Sequence, residues 1–323
     1  MNCQRLAAID IGTNTFRLLI AEVSHDLVGN SYTIREIHSE RVITRLGEGI
    51  HESGTIKKEA MDRSITALKN FCGYISLHEV HNTSVVATSA LREARNSRDF
   101  LDEAKKVTEL PINVVSGEEE ARITAAGMCL DMTVPDTSLM VDIGGGSTEL
   151  IFSRQGKPEF VHSQNTGVVY LAGKYMKHDP PLEEELAGME LEIMTRMDTV
   201  KVPFLQLIRE ETGFIGTAGT VTSLAAMAQG LTRFEHGKIH NFRLSYSKVK
   251  EIYSVISLLS TAERGRHIPF ELSRLDIIVP GTLILAKLME IFGFEEIVVS
   301  NYGLREGILI ELYNSERQKE NKK

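Results

Sequence analysis

The chain has 323 residues, 42% of them hydrophobic, and a formal net charge of −8. This is enough length for two domains with separate cores, too much apolar content for a disordered chain, and the wrong charge for a general nucleic-acid binder. No run of about 18 apolar residues is free of charge, so no membrane segment is expected. Cys3, Cys72 and Cys129 form no C-x-x-C pair; that spacing suits neither a disulfide framework nor a zinc site. With no signal-peptide pattern at the N-terminus, the cytoplasm is the expected compartment.

Ala8 to Ile20 opens the chain with an apolar run, Asp10, Ile11, Gly12, then Thr13-Asn14-Thr15 and a second apolar run. This predicts two strands joined by a glycine-containing turn, a β-hairpin. A strand follows at about Tyr32 to Arg41, then a loop, Arg45-Leu46-Gly47-Glu48-Gly49. A helix from about Lys57 to Leu77 carries the stripe Met61, Ile65, Leu68, Cys72 and Ile75, spaced by threes and fours as a core face requires. The strand Thr83 to Ala87 leads into Thr88-Ser89-Ala90-Leu91-Arg92. In α/β folds such post-strand loops carry function, and arginine suits bidentate phosphate contacts. A helix after Ser97 and a short strand at Ile112 to Val115 come next.

Ser116-Gly117-Glu118-Glu119-Glu120-Ala121-Arg122 opens another helix. Ser116 and Glu119 fit a capping box, and Glu118 favours the helix dipole. Glu120 is left over; facing a phosphate cleft, it could take a proton from water, although acidic first turns are also common on solvated helices. After a soft stretch at Asp131 to Thr137, Met140 to Phe152 repeats the first hairpin: Asp142, Ile143, Gly144, Gly145, Gly146, Ser147, Thr148, then an apolar strand with Glu149. Glycines in both turns can let a backbone approach a ligand and adopt positive φ. Successive turn N–H groups can cradle an anion, and an aspartate ending each strand offers Mg²⁺ a hard ligand. Gly216-Thr217-Ala218-Gly219-Thr220 links an apolar stub to a helix, Val221 to Gln229, and could bind an anion or nucleotide. Arg305, in Gly303-Leu304-Arg305-Glu306-Gly307, reads as a structural salt bridge at the start of the last helix, and Glu316 to Lys323 as a frayed charged tail. Alternating strands and helices predict an α/β layer fold in two halves.

Taken in order, IDIGTNTFRLLI, ATSALREARN, SGEEEARI, MVDIGGGSTELI, GTAGTVTSLAA, IVPGTLIL and GLREGIL resemble the exopolyphosphatase and guanosine pentaphosphate phosphohydrolase (Ppx/GppA) family from about residue 5 to 312. The resemblance implies two ribonuclease-H-like domains of the actin, sugar kinase and Hsp70 superfamily with an interdomain phosphate cleft. It places the first at residues 1–124, with the helix at about 303–317 packed back on it, and the second at 125–302. It implies that Glu120 is the general base and that Arg92 holds substrate phosphate. Asp142, Glu149 and Asp10 become the metal ligands. Gly12, Thr13, Asn14, Gly144, Gly145, Gly146, Ser147, Gly216, Gly219 and Thr220 become phosphate-binding residues. Mg²⁺ is the implied cofactor, potassium a candidate activator, and a homodimer the family-level state. Polyphosphate is the first expected substrate, guanosine pentaphosphate the second; neither nucleic acid nor membrane is an expected partner. A sugar kinase or a non-catalytic (p)ppGpp or polyphosphate sensor would be alternatives of another kind. Two departures stand out. Long members carry a further HD-type helical region, whereas this chain stops at Lys323 and reads as a short form. Ser300-Asn301-Tyr302 also stands where the family often has an aspartate before G-x-R-E-G.

Overall fold

A computed structural model describes residues 3–26 and 31–320. The chain forms two units, one comprising the residues up to Leu130 with those from Tyr302 onward, the other Asp131–Asn301.

The first unit contains β1 (Gln4–Ile11), β2 (Thr15–Asp26), β3 (Ser31–Ile43), α1 (Ile50–Ser53), α2 (Lys58–Leu77), β4 (Asn82–Ala87), α3 (Ser89–Glu93), α4 (Ser97–Thr108), β5 (Ile112–Val114) and α5 (Gly117–Met128), and it is completed by the C-terminal helix Leu304–Glu320. Its sheet runs β3-β2-β1-β4-β5. The first three strands form an antiparallel meander, and β4 and β5 add parallel to β1 and β4. This mixed α/β arrangement is that of a ribonuclease-H-like domain. Within β1, Leu6-Ala7-Ala8-Ile9 is an unbroken apolar run because helices cover both faces. Ala7, Ile9, Ile11, Phe16, Leu18 and Ile20 pack on α2 and α4. Leu6, Ala8, Leu19, Ala21 and Val23 pack on Ile123 of α5 and on Ile308, Leu309 and Tyr313 of the C-terminal helix. In the predicted stripe of α2, Met61, Ile65, Leu68 and Ile75 are buried, whereas Cys72 is only partly so.

Glycine brings α5 and the C-terminal helix together. A Cβ on Gly127 would lie 1.9 Å from the Gly303 carbonyl oxygen, and one on Gly307 1.9 Å from that of Ile123. The helix runs to Glu320, so Glu316–Glu320 are helical rather than frayed; the rest of the tail, 321–323, lies outside the described residues. Because α5 continues to Met128, the chain leaves the first unit at Leu130 rather than at residue 124.

The second unit contains β6 (Thr137–Ile143), β7 (Thr148–Arg154), β8 (Lys157–Gln164), α6 (Val168–Tyr175), α7 (Glu183–Asp198), α8 (Lys201–Leu207), β9 (Gly213–Thr217), α9 (Ala218–Ala228), α10 (His236–Ile239), β10 (Arg243–Ser245), α11 (Tyr246–Ile256), α12 (Thr261–Arg264), α13 (Ile278–Phe292) and β11 (Glu296–Val299). Its sheet, β10-β11-β9-β6-β7-β8, repeats the first: an antiparallel meander, β6-β7-β8, then β9 and β11 added in parallel, with antiparallel β10 at the edge. Leu139, Val141, Leu150 and Phe152 pack with α6, α7, α9, α11 and α13 into one core.

The Asn301 departure has a local explanation. Its side-chain amide donates to the His236 carbonyl at 2.8 Å, and its backbone N–H donates to His240 Nδ1 at 3.3 Å. An aspartate has no N–H to offer that carbonyl. Among the described residues, no helix is long and apolar enough to cross a membrane.

Candidate active site

The sequence duplication is also a duplication of geometry. In the first hairpin Gly12 N–H donates to the Thr15 carbonyl (3.2 Å); in the second, Gly144 N–H donates to that of Ser147 (3.0 Å). The expected positive φ does not occur: none of Gly12, Gly144, Gly145 and Gly146 is left-handed. Glycine is needed here for closeness instead, since a Cβ on Gly12 would lie 2.8 Å from the Thr15 carbonyl oxygen. Each loop is braced from outside. Thr44 and Arg45 N–H donate to the Asn14 carbonyl and Gly47 N–H to that of Thr13, while the Thr13 hydroxyl bonds that of Ser89 at 2.8 Å. Val168 and Val169 N–H donate to the carbonyls of Gly144 and Gly145.

The two copies differ in what stands beside the aspartate. Directly opposed residues of neighbouring antiparallel strands share a face, so the pairing defines one row across each meander. The first row is Asp10, Arg17, Arg41; the second is Asp142, Glu149, Ser163. One row is an acid with two cations, the other two acids with a neutral hydroxyl. Opposed like charges destabilise a sheet, and a bound cation relieves that cost. Asp10 is 8% exposed. Burial pushes its carboxyl above the ordinary range, against the pull of Arg17 and Arg305 and with Glu306 adding to the rise. The first row thus sets one buried acid beside two arginines, the second two acids beside a hydroxyl. The second row suits Mg²⁺, which takes one or two carboxylates and completes its shell with water and substrate phosphates. Among the described residues no cluster of three or more metal-ligating side chains occurs, and such a site does not require one.

Arg92 and Glu120 come together although 28 positions separate them. Thr88 N–H donates to the Ile11 carbonyl, fixing the exit of β4 beside the first loop and bringing α3 with it. Ser116 caps α5, accepting from Glu119 N–H at 3.1 Å, which is the forward half of the expected box. Glu120 thereby turns inward and is 8% exposed. Arg92 Nη1 donates to Glu120 Oε2 at 2.7 Å and to the Val115 carbonyl at 3.1 Å. Its Nη2 is buried and has no protein acceptor, which leaves one arm of the guanidinium fork to a bound anion.

At the remaining predicted turn, β9 passes directly into α9. Gly216 lies inside the sheet, where its carbonyl accepts from Ser300 N–H at 2.8 Å. Thr220 packs its side chain where a Cβ on Gly281 would stand. Gly216 is thus a strand residue, and the Thr220 side chain is turned toward α13. Ala218 takes φ 71, a left-handed value costly for a side-chain-bearing residue. Beside Gly219, the Arg274 guanidinium fills the space a Cβ would need. Arg305 is structural as expected, contacting Glu306 and donating to Ser39 Oγ at 3.0 Å. Sequence reasoning missed Arg17, Ser89, Ser163 and Arg274. Arg17 had a signal in the duplication, since it and Glu149 follow their aspartates at the same interval; the others meet the site only through tertiary pairing.

Comparison with known proteins agrees with this architecture. The Ppx/GppA phosphatase family model matches residues 20–316. The chain is 30% identical to exopolyphosphatase 2 of Mycobacterium tuberculosis over 97% of its own length and 99% of that protein's. Among solved structures, the Ppx/GppA family member of Aquifex aeolicus superposes with a TM-score of 0.79 at 30% identity, covering 99% of both chains. An exopolyphosphatase from Cytophaga hutchinsonii gives 0.84 at 29% identity, covering 97% and 98%. With its duplicated loops, buried Arg92–Glu120 pair and opposed carboxylates, this chain belongs to the Ppx/GppA phosphatase family.

Proposed function

We propose that the protein is an exopolyphosphatase that removes the terminal phosphoryl group of inorganic polyphosphate by direct attack of water. The observation that carries this reading is the Arg92–Glu120 pair, a buried carboxylate and a half-used guanidinium held together at 2.7 Å beside the first loop. Arg92 holds an oxygen of the transferring group through Nη2 and offsets the charge that develops there. Glu120 orients the attacking water and accepts its proton. The loop at Gly12 to Asn14, in the same unit as this pair, positions phosphate ahead of the reaction, and the loop at Gly144 to Ser147 is a phosphate-binding turn of the same design in the second unit. Asp142 and Glu149 would hold Mg²⁺, which when bound neutralises charge on phosphate oxygens.

The guanosine pentaphosphate reading needs a base pocket around Gly216 to Thr220. There Gly216 is committed to the sheet and Arg274 covers Gly219, so polyphosphate is preferred. A silent sensor is disfavoured because the chain retains Glu120, Asp142 and Glu149. The test is Mg²⁺-dependent phosphate release from long polyphosphate, short polyphosphate, guanosine pentaphosphate and ATP. Fastest turnover of polyphosphate is expected. Turnover of the guanosine nucleotide alone would transfer the assignment to it, and binding without turnover would make the protein a sensor.

A further inference from the structure

We infer that Ser163 is a positioning residue for the reaction, acting through Glu149; this rests on the reading in which Asp142 and Glu149 hold the divalent cation. Ser163 Oγ donates to Glu149 Oε1 at 2.8 Å. Glu149 is 1% exposed, so its carboxylate orientation is set by neighbours rather than by solvent. Ser163 completes the row Asp142, Glu149, Ser163. The corresponding row in the first unit ends in arginines. An arginine opposite Glu149 would neutralise the carboxylate and compete with a cation; a serine fixes its orientation with one neutral hydrogen bond and leaves its charge intact. Groups that orient metal ligands in this way tune affinity from outside the coordination shell.

The segment that follows holds the rest of the same loop. The Thr166 carbonyl accepts from the Thr148 hydroxyl at 2.6 Å. Val168 and Val169 N–H donate to the carbonyls of Gly144 and Gly145. Gly167 lies so close to Gly145 and Gly146 that a Cβ would stand 2.3 Å from the Gly145 carbonyl oxygen. Ser163 therefore stands at the head of a continuous template, residues 163–169, that fixes the glycine turn and the glutamate after it as one body.

The test is direct Mn²⁺ binding to the full-length protein, followed by electron paramagnetic resonance, beside the Mg²⁺ dependence of phosphate release. Ser163→Ala should weaken Mn²⁺ binding and raise the half-saturating Mg²⁺ concentration by roughly 10- to 100-fold, the usual effect of losing such a partner. Ser163→Thr should restore both, because it returns the hydroxyl. Should the alanine variant fail to fold, Ser163→Cys keeps the size with a weaker donor and should fall between alanine and wild type. Unchanged metal affinity in a folded alanine or cysteine variant overturns the inference. A wild-type protein that binds no Mn²⁺ overturns the metal assignment as well, so the two failures are distinguishable.

Discussion

Glu120→Gln separates chemistry from architecture. Glutamine keeps an oxygen that can accept from Arg92 Nη1, so the 2.7 Å contact can persist without its charge. The structural loss is then about 1 kcal/mol, the difference between a charged and a neutral hydrogen bond. The chemical loss is far larger: an amide cannot accept a proton from water, and removing a general base costs roughly 10² to 10⁴ in rate, or about 3 to 5 kcal/mol of transition-state stabilisation. Glu120→Ala should behave differently. It strands Arg92, only 18% exposed, without its carboxylate; breaking such a pair costs up to about 3–5 kcal/mol, reduced here by the residual exposure. The assay is steady-state phosphate release from polyphosphate with thermal unfolding of the same preparations. Glutamine should lose kcat and keep its melting temperature within about 4 °C; alanine should lose both. If Glu120→Gln is folded and keeps more than about a tenth of wild-type kcat, less than the smallest expected loss, Glu120 is not the base.

Gly307→Ala should destabilise the first unit by at least about 1–3 kcal/mol, the cost of overpacking, because its Cβ would lie 1.9 Å from a backbone oxygen of α5; thermal unfolding checks it, and an unshifted transition would mean that the helices separate cheaply. Glu192 offers a pH test. Burial raises its carboxyl, but hydrogen bonds from Lys174, Tyr175, Tyr170 and Arg196 overcome this and hold it at about 2, below the ordinary 4.5. A lowered carboxyl stabilises the fold above the unfolded value and loses that contribution as pH falls toward the folded one. Since Lys174 is 43% exposed, screening limits the contribution to about 1–2 kcal/mol at pH 7. Denaturant unfolding of Glu192→Gln should show that deficit at pH 7 and a shrinking one from about pH 5 downward; a constant deficit refutes the linkage. Asn301→Asp should cost about 1–3 kcal/mol, because the His236 carbonyl loses its 2.8 Å donor; a melting temperature equal to wild type would refute that account.

Much of this architecture could be read from local spelling. Apolar run, aspartate, glycine turn and apolar run predict a hairpin wherever they occur, and two copies predict two sheets. The difference between the copies was also written in the chain, at Arg17 and Glu149, because a tight turn fixes which residue opposes each aspartate. Arg92 and Glu120 were less legible. Each lies in its own motif, and their contact depends on how β4 and α5 pack, which no local pattern encodes. The glycines of both loops misled in one respect: spelling does not tell left-handed backbone from close approach, and closeness proved to be what the turns require.

Ser163 shows most clearly where local rules stop. Gln155 and Gly156, both left-handed, make the tight turn between β7 and β8 and pair Arg154 with Lys157. Carried along the strands without interruption, that register would set His162 opposite Glu149. The pairing slips at Phe152 and Ser153, and Glu149 faces Ser163 instead. A one-residue slip sends every later side chain to the other face, so this bulge decides whether the buried glutamate meets an imidazole or a hydroxyl. An imidazole there would be a competing metal ligand, or a cation when protonated, and either would oppose the charge that the second row presents. Bulges of this kind recur beside active sites because they re-aim a side chain without altering the sheet. Pro158, beside the slip, hints at an irregularity, since proline within a strand marks edges and bulges, but it does not fix the register beyond it, so the partner of Glu149 becomes known only when the strands are paired.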